Sequence, residues 1–259
     1  MTISWFKYSA PANFYPLAGR MIPWFAGAAV LLTVIGMYIG FVVAPTDATQ
    51  GEAYRIIFIH VPTAWMAMFG YCVMAGWCAA SLIWNTRLSA MMAQALAPTG
   101  AMFAFVSLWT GAFWGRPTWG TYWVWDARLT STLILLFLYL GYMALRAAID
   151  EPRRADRASA LLAIVGVINV PIIYFSVKWW NTLHQGATIS ATAAPKMAHT
   201  MLAAMLVMIF AAWFYAIAVT LHRVRSIILE REAHTDWVRA LATGAPAGQA
   251  GRVGTEASR

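Results

Sequence analysis

The chain has 259 residues, 61% of them hydrophobic and 11% charged, with a formal net charge of +8. Soluble domains carry about 25% charged residues, so an ordinary water-soluble domain is excluded, and the stretches between the apolar runs are too short to hold a separate one. The cations are spread along the flanks of those runs and form no dense block interleaved with aromatics, which argues against nucleic acid as a partner.

Six stretches lack any Asp, Glu, Lys or Arg: Ile22 to Ala44, Ile56 to Trp84, Ser89 to Phe113, Leu129 to Leu145, Ala158 to Val177 and Met197 to Leu221. A helix needs about 17–25 residues to cross a hydrocarbon core of about 30 Å, and each stretch meets that length. Lipid cannot satisfy exposed backbone groups, and these runs lack the alternation of a barrel strand, so spanning helices are expected. The fold class is therefore an all-α polytopic membrane protein with six transmembrane helices. The first run exceeds the roughly 7–15 apolar residues of a signal peptide and is expected to remain as an anchor. Pro98 and Pro171 are candidate helix breaks.

Thirteen of the 18 Lys and Arg fall in the N-terminal segment, the second and fourth connections and the tail. Arg55, Arg116, Arg128, Lys178 and Lys196 occupy the other face. The positive-inside rule then places both termini in the cytoplasm (N-in/C-in). Residues 1–221 read as one six-helix domain, and 222–259 as a cytoplasmic tail with a short surface helix around Ile227 to Leu241 and a disordered end rich in Gly and Ala. Cys72 and Cys78 lie about 240° apart around one helix and do not pair. No Cys-x-x-Cys, phosphate loop or internal repeat is present.

The outer connections hold the candidate chemistry. The third reads Trp-Gly-Arg-Pro-Thr-Trp-Gly-Thr-Tyr-Trp-Val-Trp-Asp from Trp114 to Asp126, grouping Trp114, Trp119, Tyr122, Trp123 and Trp125. One reading is an interfacial aromatic belt. The other, favoured by four indoles punctuated by Gly115, Pro117 and Gly120, is a shaped platform for a flat apolar ligand. His60 lies near the outer end of the second span, His184 follows Trp179 and Trp180 in the fifth connection, and His199 opens the sixth span. A single histidine of this kind is commonly a hydrogen-bonded structural group, but an imidazole inside a membrane also favours a cavity or a partner. Several at one level beside a tryptophan platform point to haem, whose iron takes neutral imidazoles, whose ring takes aromatic walls and whose propionates take cations. Arg55, Arg116, Arg128 and Lys178 are candidates for the last role, against the alternative that they cap helices or touch lipid headgroups.

The run Trp114 to Asp126 resembles the tryptophan-rich WWD signature of bacterial haem-handling proteins. Arg55-Ile-Ile-Phe-Ile-His60-Val-Pro-Thr-Ala-Trp65 and Trp180-Asn-Thr-Leu-His184-Gln-Gly are similar to the two histidine segments of one family in that group, the cytochrome c maturation protein C or haem exporter protein C family. The resemblance spans about Trp24 to Leu221, with Tyr122 standing where Trp is common. It implies a non-enzymatic role at the bacterial inner membrane. Haem b would be held non-covalently on the periplasmic face with His60 and His184 as axial metal ligands, supported by Trp114, Trp119, Trp123, Trp125 and Asp126, with Arg55 and Arg128 among the binding residues. The implied partners are the haem chaperone maturation protein E, the ABC transporter proteins A and B, a small helper protein D and membrane lipid. Partner docking on the WWD surface, its charge pattern set by Asp126 and Arg128, would loosen one axial bond. A cytochrome b-type electron-transfer subunit and a small-solute transporter are the alternatives: a second haem at the inner face would favour the first, and midplane charges, inverted repeats or broken helices, for which Pro98, Pro171 and Asn169 are candidates, would favour the second.

Overall fold

The computed structural model describes residues 5–184 and 197–243. Its regular elements are helical, and no strand occurs among the described residues. The main helices are α1 (Pro11–Tyr38), α2 (Ile57–Trp84), α3 (Arg87–Trp119), α4 (Ala127–Ala147), α5 (Pro152–Gly166), α6 (Asn169–Trp179), α7 (His199–Arg231) and α8 (Asp236–Thr243). Together with short 3-10 and π turns beside α1 and α2, they supply six segments long and apolar enough to cross a membrane, at the six places the apolar runs predict.

The fifth segment is two helices. Pro171 has no N–H to bond the Val167 carbonyl, and the backbone tightens just before it: Val167 N–H reaches Ile164 O at 3.3 Å and Ile168 N–H reaches Val165 O at 3.3 Å. The Asn169 side chain at this break donates to Ser131 O on α4 (2.9 Å). Pro98, by contrast, is carried inside α3 without a break.

Small side chains let the helices approach. Ala93, Ala97, Gly100 and Ala104 on α3 face Tyr139 and Leu135 of α4 and Tyr71 of α2, the close packing that membrane helices use in place of a hydrophobic driving force. Tyr139 is fully buried and donates to Ala67 O (2.9 Å), with its ring edge-on to Tyr71 (4.9 Å, 78°). Gly100 leaves the room that the Tyr139 ring fills. Helix α1 packs chiefly on α7, and α2 on α3.

Two ends of the bundle differ in chemistry. At the basic end, Arg146 of α4 and Arg231 of α7 converge on Asp156 of α5 and Gln94 of α3: Arg231 reaches Asp156 Oδ1 (2.9 Å) and Gln94 Oε1 (2.9 Å), and Arg146 reaches the same two acceptors. The opposite, aromatic end carries the connection from α1 to α2, the end of α3, the start of α4 and the end of α6.

Two expectations change. The third connection, read from Trp114 in the sequence, starts later: Gly115 and Pro117 lie within α3, and of the three punctuating residues Gly120 ends the helix, its φ of 78° lying in the left-handed region. The backbone of Trp114, Trp119 and Arg116 is thus helical and not a loop. Helix α7 continues past Leu221 to Arg231, so the surface helix expected at Ile227 to Leu241 is instead the end of α7 followed by α8. Gln185, Gly186, Lys196 and the Gly- and Ala-rich end from residue 244 lie outside the described residues.

Candidate functional site

At the aromatic end a cavity, partly open to the outside, lies between α2, α3, α4 and the segment after α6. Helical spacing explains its walls. His60, Ala64, Ala67 and Met68 recur along one face of α2, Leu108, Gly111 and Ala112 along α3, and Arg128, Leu129, Thr132 and Leu135 along α4. Thr121 to Val124 form the rim, and His184 closes the cavity opposite His60.

His60 is buried, with 8% of its surface exposed. Its Nδ1 lies 3.1 Å from Thr110 Oγ1, and its ring meets Trp114 edge-on at 5.6 Å and 72°. Gly111 gives it standing room, since a Cβ there would be 3.0 Å from His60 Cε1. The His184 ring centroid is 6.2 Å from that of His60 at an interplanar angle of 33°, and 6.1 Å from the Trp119 ring. A nitrogen bonded to a metal at about 2 Å puts its imidazole centroid about 1 Å farther out, so two imidazoles trans on one metal have centroids roughly 6 Å apart. The observed pair matches that span. No cluster of three or more metal-ligating side chains occurs among the described residues.

The tryptophans divide. Trp114, Trp119 and Trp123 line the cavity, whereas Trp125 does not: it is 78% exposed and packs edge-on against the outer side of Trp123 (5.4 Å, 80°). Trp114 is anchored from behind, its Nε1 donating to Gln50 Oε1 at 2.8 Å. Gln50 is held in turn by a turn in which Asp47 Oδ1 accepts from Thr49 Oγ1 (2.7 Å), Gln50 N (2.8 Å) and Thr49 N (2.9 Å). The Thr49 hydroxyl, helped by these two amides, holds the Asp47 carboxyl below its ordinary value. Arg116 donates to Gly120 O and lies over the Tyr122 ring (5.6 Å), fixing the turn that leads into the rim.

Asp126 caps α4, its Oδ1 accepting from Leu129 N at 2.8 Å. Its Oδ2 and the Trp123 Nε1 are buried without a hydrogen-bond partner among the described residues. Arg128 lines the cavity and donates to Ile173 O (2.7 Å), just ahead of the segment that carries His184. Arg55 stands elsewhere, ion-paired with Glu52 and donating to Gly40 O and Ala44 O (3.1 Å) at the end of the first span. Lys178 lies beside the Phe175 ring (5.8 Å). His199, the first residue of α7, is exposed and lines no part of the cavity.

Thr110, Gly111 and Gln50 were not legible as site residues. Each meets its partner across 50 or more positions of chain, and nothing in its immediate neighbourhood marks it.

A haem ring fits these residues. Two imidazoles stand at the right separation, the walls are indole and aliphatic, and the Arg128 guanidinium among the lining residues suits a carboxylate group.

The Heme exporter protein C family model matches residues 4–239. Similar proteins include Heme exporter protein C of Bradyrhizobium diazoefficiens, 48% identical over 87% of this chain and 85% of that protein. Another is Heme exporter protein C of Escherichia coli strain K12, 44% identical over 91% of this chain and 95% of its own length. A putative cytochrome c biosynthesis ccmC-like mitochondrial protein of Marchantia polymorpha is 46% identical over 73% of this chain and 79% of that protein. Six membrane-crossing segments, the paired histidines beneath a tryptophan rim and a match over nearly the whole described chain agree: the protein belongs to the Heme exporter protein C family.

Proposed function

We propose that this multi-pass membrane protein handles haem for export and cytochrome c maturation. It holds haem b non-covalently as cargo between His60 and His184, on the periplasmic side of a bacterial inner membrane. The observation that carries the proposal is the 6.2 Å separation of the two imidazole rings across an aromatic-walled cavity. The lower content of Lys and Arg at the aromatic end supports the periplasmic assignment.

In this scheme Trp119 and Trp123 flank the macrocycle, and Arg128 receives a propionate. His60 is the fixed ligand, since it sits on α2 and is braced by Thr110 and Trp114. His184 is the releasable one, because irregular backbone after α6 carries it. The exposed Trp125 and Tyr122 give a docking surface for the haem chaperone, maturation protein E, and docking there frees the cargo by displacing His184. ABC transporter proteins A and B and helper protein D complete the export complex. Membrane lipid surrounds the spans.

The test is a hemin titration of the purified full chain in detergent, followed by absorbance. Wild type gives a six-coordinate, low-spin spectrum, and His60→Ala and His184→Ala each lose it. Retention of that spectrum in both variants, or no uptake by wild type in either redox state, overturns the proposal. The electron-transfer alternative gains no support from His222 or His234: both lie toward the basic end, and among the described residues neither has a histidine ring partner like the His60–His184 pair.

A further inference from the structure

Thr110 makes two hydrogen bonds that its single O–H proton cannot both supply. Its Oγ1 lies 2.7 Å from Val106 O, a carbonyl one turn back on α3, and 3.1 Å from His60 Nδ1. A carbonyl only accepts, so the hydroxyl proton goes to Val106 O (with Ser107 O at 3.2 Å as a second acceptor). The Thr110 oxygen is then left as an acceptor toward His60. For that contact to be a hydrogen bond, Nδ1 must carry the imidazole proton, and Nε2 must carry the lone pair.

We infer that Thr110 is a positioning residue that holds His60 in its Nδ1–H tautomer, so that Nε2 presents a lone pair to the cavity before any ligand arrives. Gly111, the next residue on α3, lets the ring lie against the helix closely enough for this bond. The same turn of α3 therefore sets both the orientation of the ring and which nitrogen can bind iron. Metal-binding histidines are commonly fixed in this way by an acceptor on the other ring nitrogen. Here the acceptors are a hydroxyl whose own proton is engaged by a backbone carbonyl and, beside it, the Ser107 carbonyl, within the uncharged stretch Ser89 to Phe113. A carboxylate at this position would carry a full charge into the membrane interior at a cost of several kcal/mol. The back-bonded hydroxyl does the same work while neutral.

The inference rests on the reading of His60 as a haem ligand, and the experiment separates the two. The full chain, labelled with ¹⁵N-histidine and free of haem in detergent micelles, gives a two-bond ¹H–¹⁵N correlation spectrum in which the five histidines are distinguished by tautomer, His60 being assigned by its absence in His60→Ala. Expected is the Nδ1–H tautomer in wild type and in Thr110→Ser, and a mixture of tautomers in Thr110→Val, which keeps the shape but removes the acceptor. Hemin titration of the same samples should show Thr110→Val weakened about 10–100-fold, with Thr110→Ser restoring most of the loss. An Nε2–H tautomer in wild type overturns the inference, as does a Thr110→Val protein whose tautomer and hemin affinity stay within about twofold of wild type. Failure of wild type to take up hemin overturns the haem assignment, while the tautomer measured without haem still decides the role of Thr110.

Discussion

Gly111→Ala adds one methyl group behind the imidazole of His60. The new Cβ would stand 3.0 Å from His60 Cε1, whereas carbon atoms rest in contact at about 3.5–4.0 Å, so the ring must retreat by about 0.5–1 Å. It has little freedom to do so, being tied to Thr110 at 3.1 Å and flanked by the Trp114 ring at 5.6 Å. Metal–nitrogen distances tolerate only about ±0.2 Å, and the two imidazoles already stand at the separation one iron requires. The substitution should therefore break the proposed paired ligation while leaving both histidines in place. Hemin affinity falls about 10–100-fold, in the range found when the outer support of a metal ligand is lost, and the low-spin spectrum shifts toward five-coordinate haem. Overpacking also lowers stability by about 1–3 kcal/mol. Gly27→Ala is the matched control: nothing lies within 4 Å of its added Cβ on an exposed face of α1, and a helix-interior Gly→Ala change there gains about 0.5–1 kcal/mol. The assay is hemin titration by absorbance alongside thermal unfolding in detergent. A Gly111→Ala protein with wild-type spectrum and an affinity within about twofold, a difference under about 0.5 kcal/mol, would refute the reasoning.

At the basic end, Asp156→Ala leaves the Arg146 and Arg231 guanidinium groups, with side chains 10% and 18% exposed, sharing only the neutral Gln94. Removing one partner of a buried ion pair costs about 3–5 kcal/mol, so the apparent Tm should drop by about 10 °C, and an unchanged melting curve would show the cluster to be energetically idle. The turn that buttresses Trp114 should be acid-sensitive. The Asp47 carboxyl is held below its ordinary value by the Thr49 hydroxyl and the amides of Thr49 and Gln50, so near the unfolded value of about 3.9 the folded turn binds fewer protons than the unfolded chain. Its contribution to stability is complete above that value and is lost as pH falls through the lower folded one. Hydrogen exchange of residues 44–51, corrected for intrinsic rates, should rise over that window in wild type and already be raised at neutral pH in Asp47→Asn.

The number and placement of the spans were determined by the sequence alone, because a helix in lipid must satisfy its own backbone and an uncharged run of sufficient length has no other stable state. Pro171 and Pro98 were equal candidates for a break in the sequence, yet only the segment before Pro171 divides while α3 carries Pro98 unbroken, so the missing N–H marked the place and packing decided the outcome. His60, His184 and the tryptophans were legible as chemistry, but their separation was not. That His184 and not His199 faces His60, that Trp123 lines the cavity while Trp125 lies outside, and that Arg55 is taken up by the end of the first span are results of helix packing. Tertiary structure alone also supplied Thr110, Gly111 and Gln50. Their partners lie 50 to 64 residues away, and a contact across that distance exists only once α2, α3 and the first connection have been packed side by side.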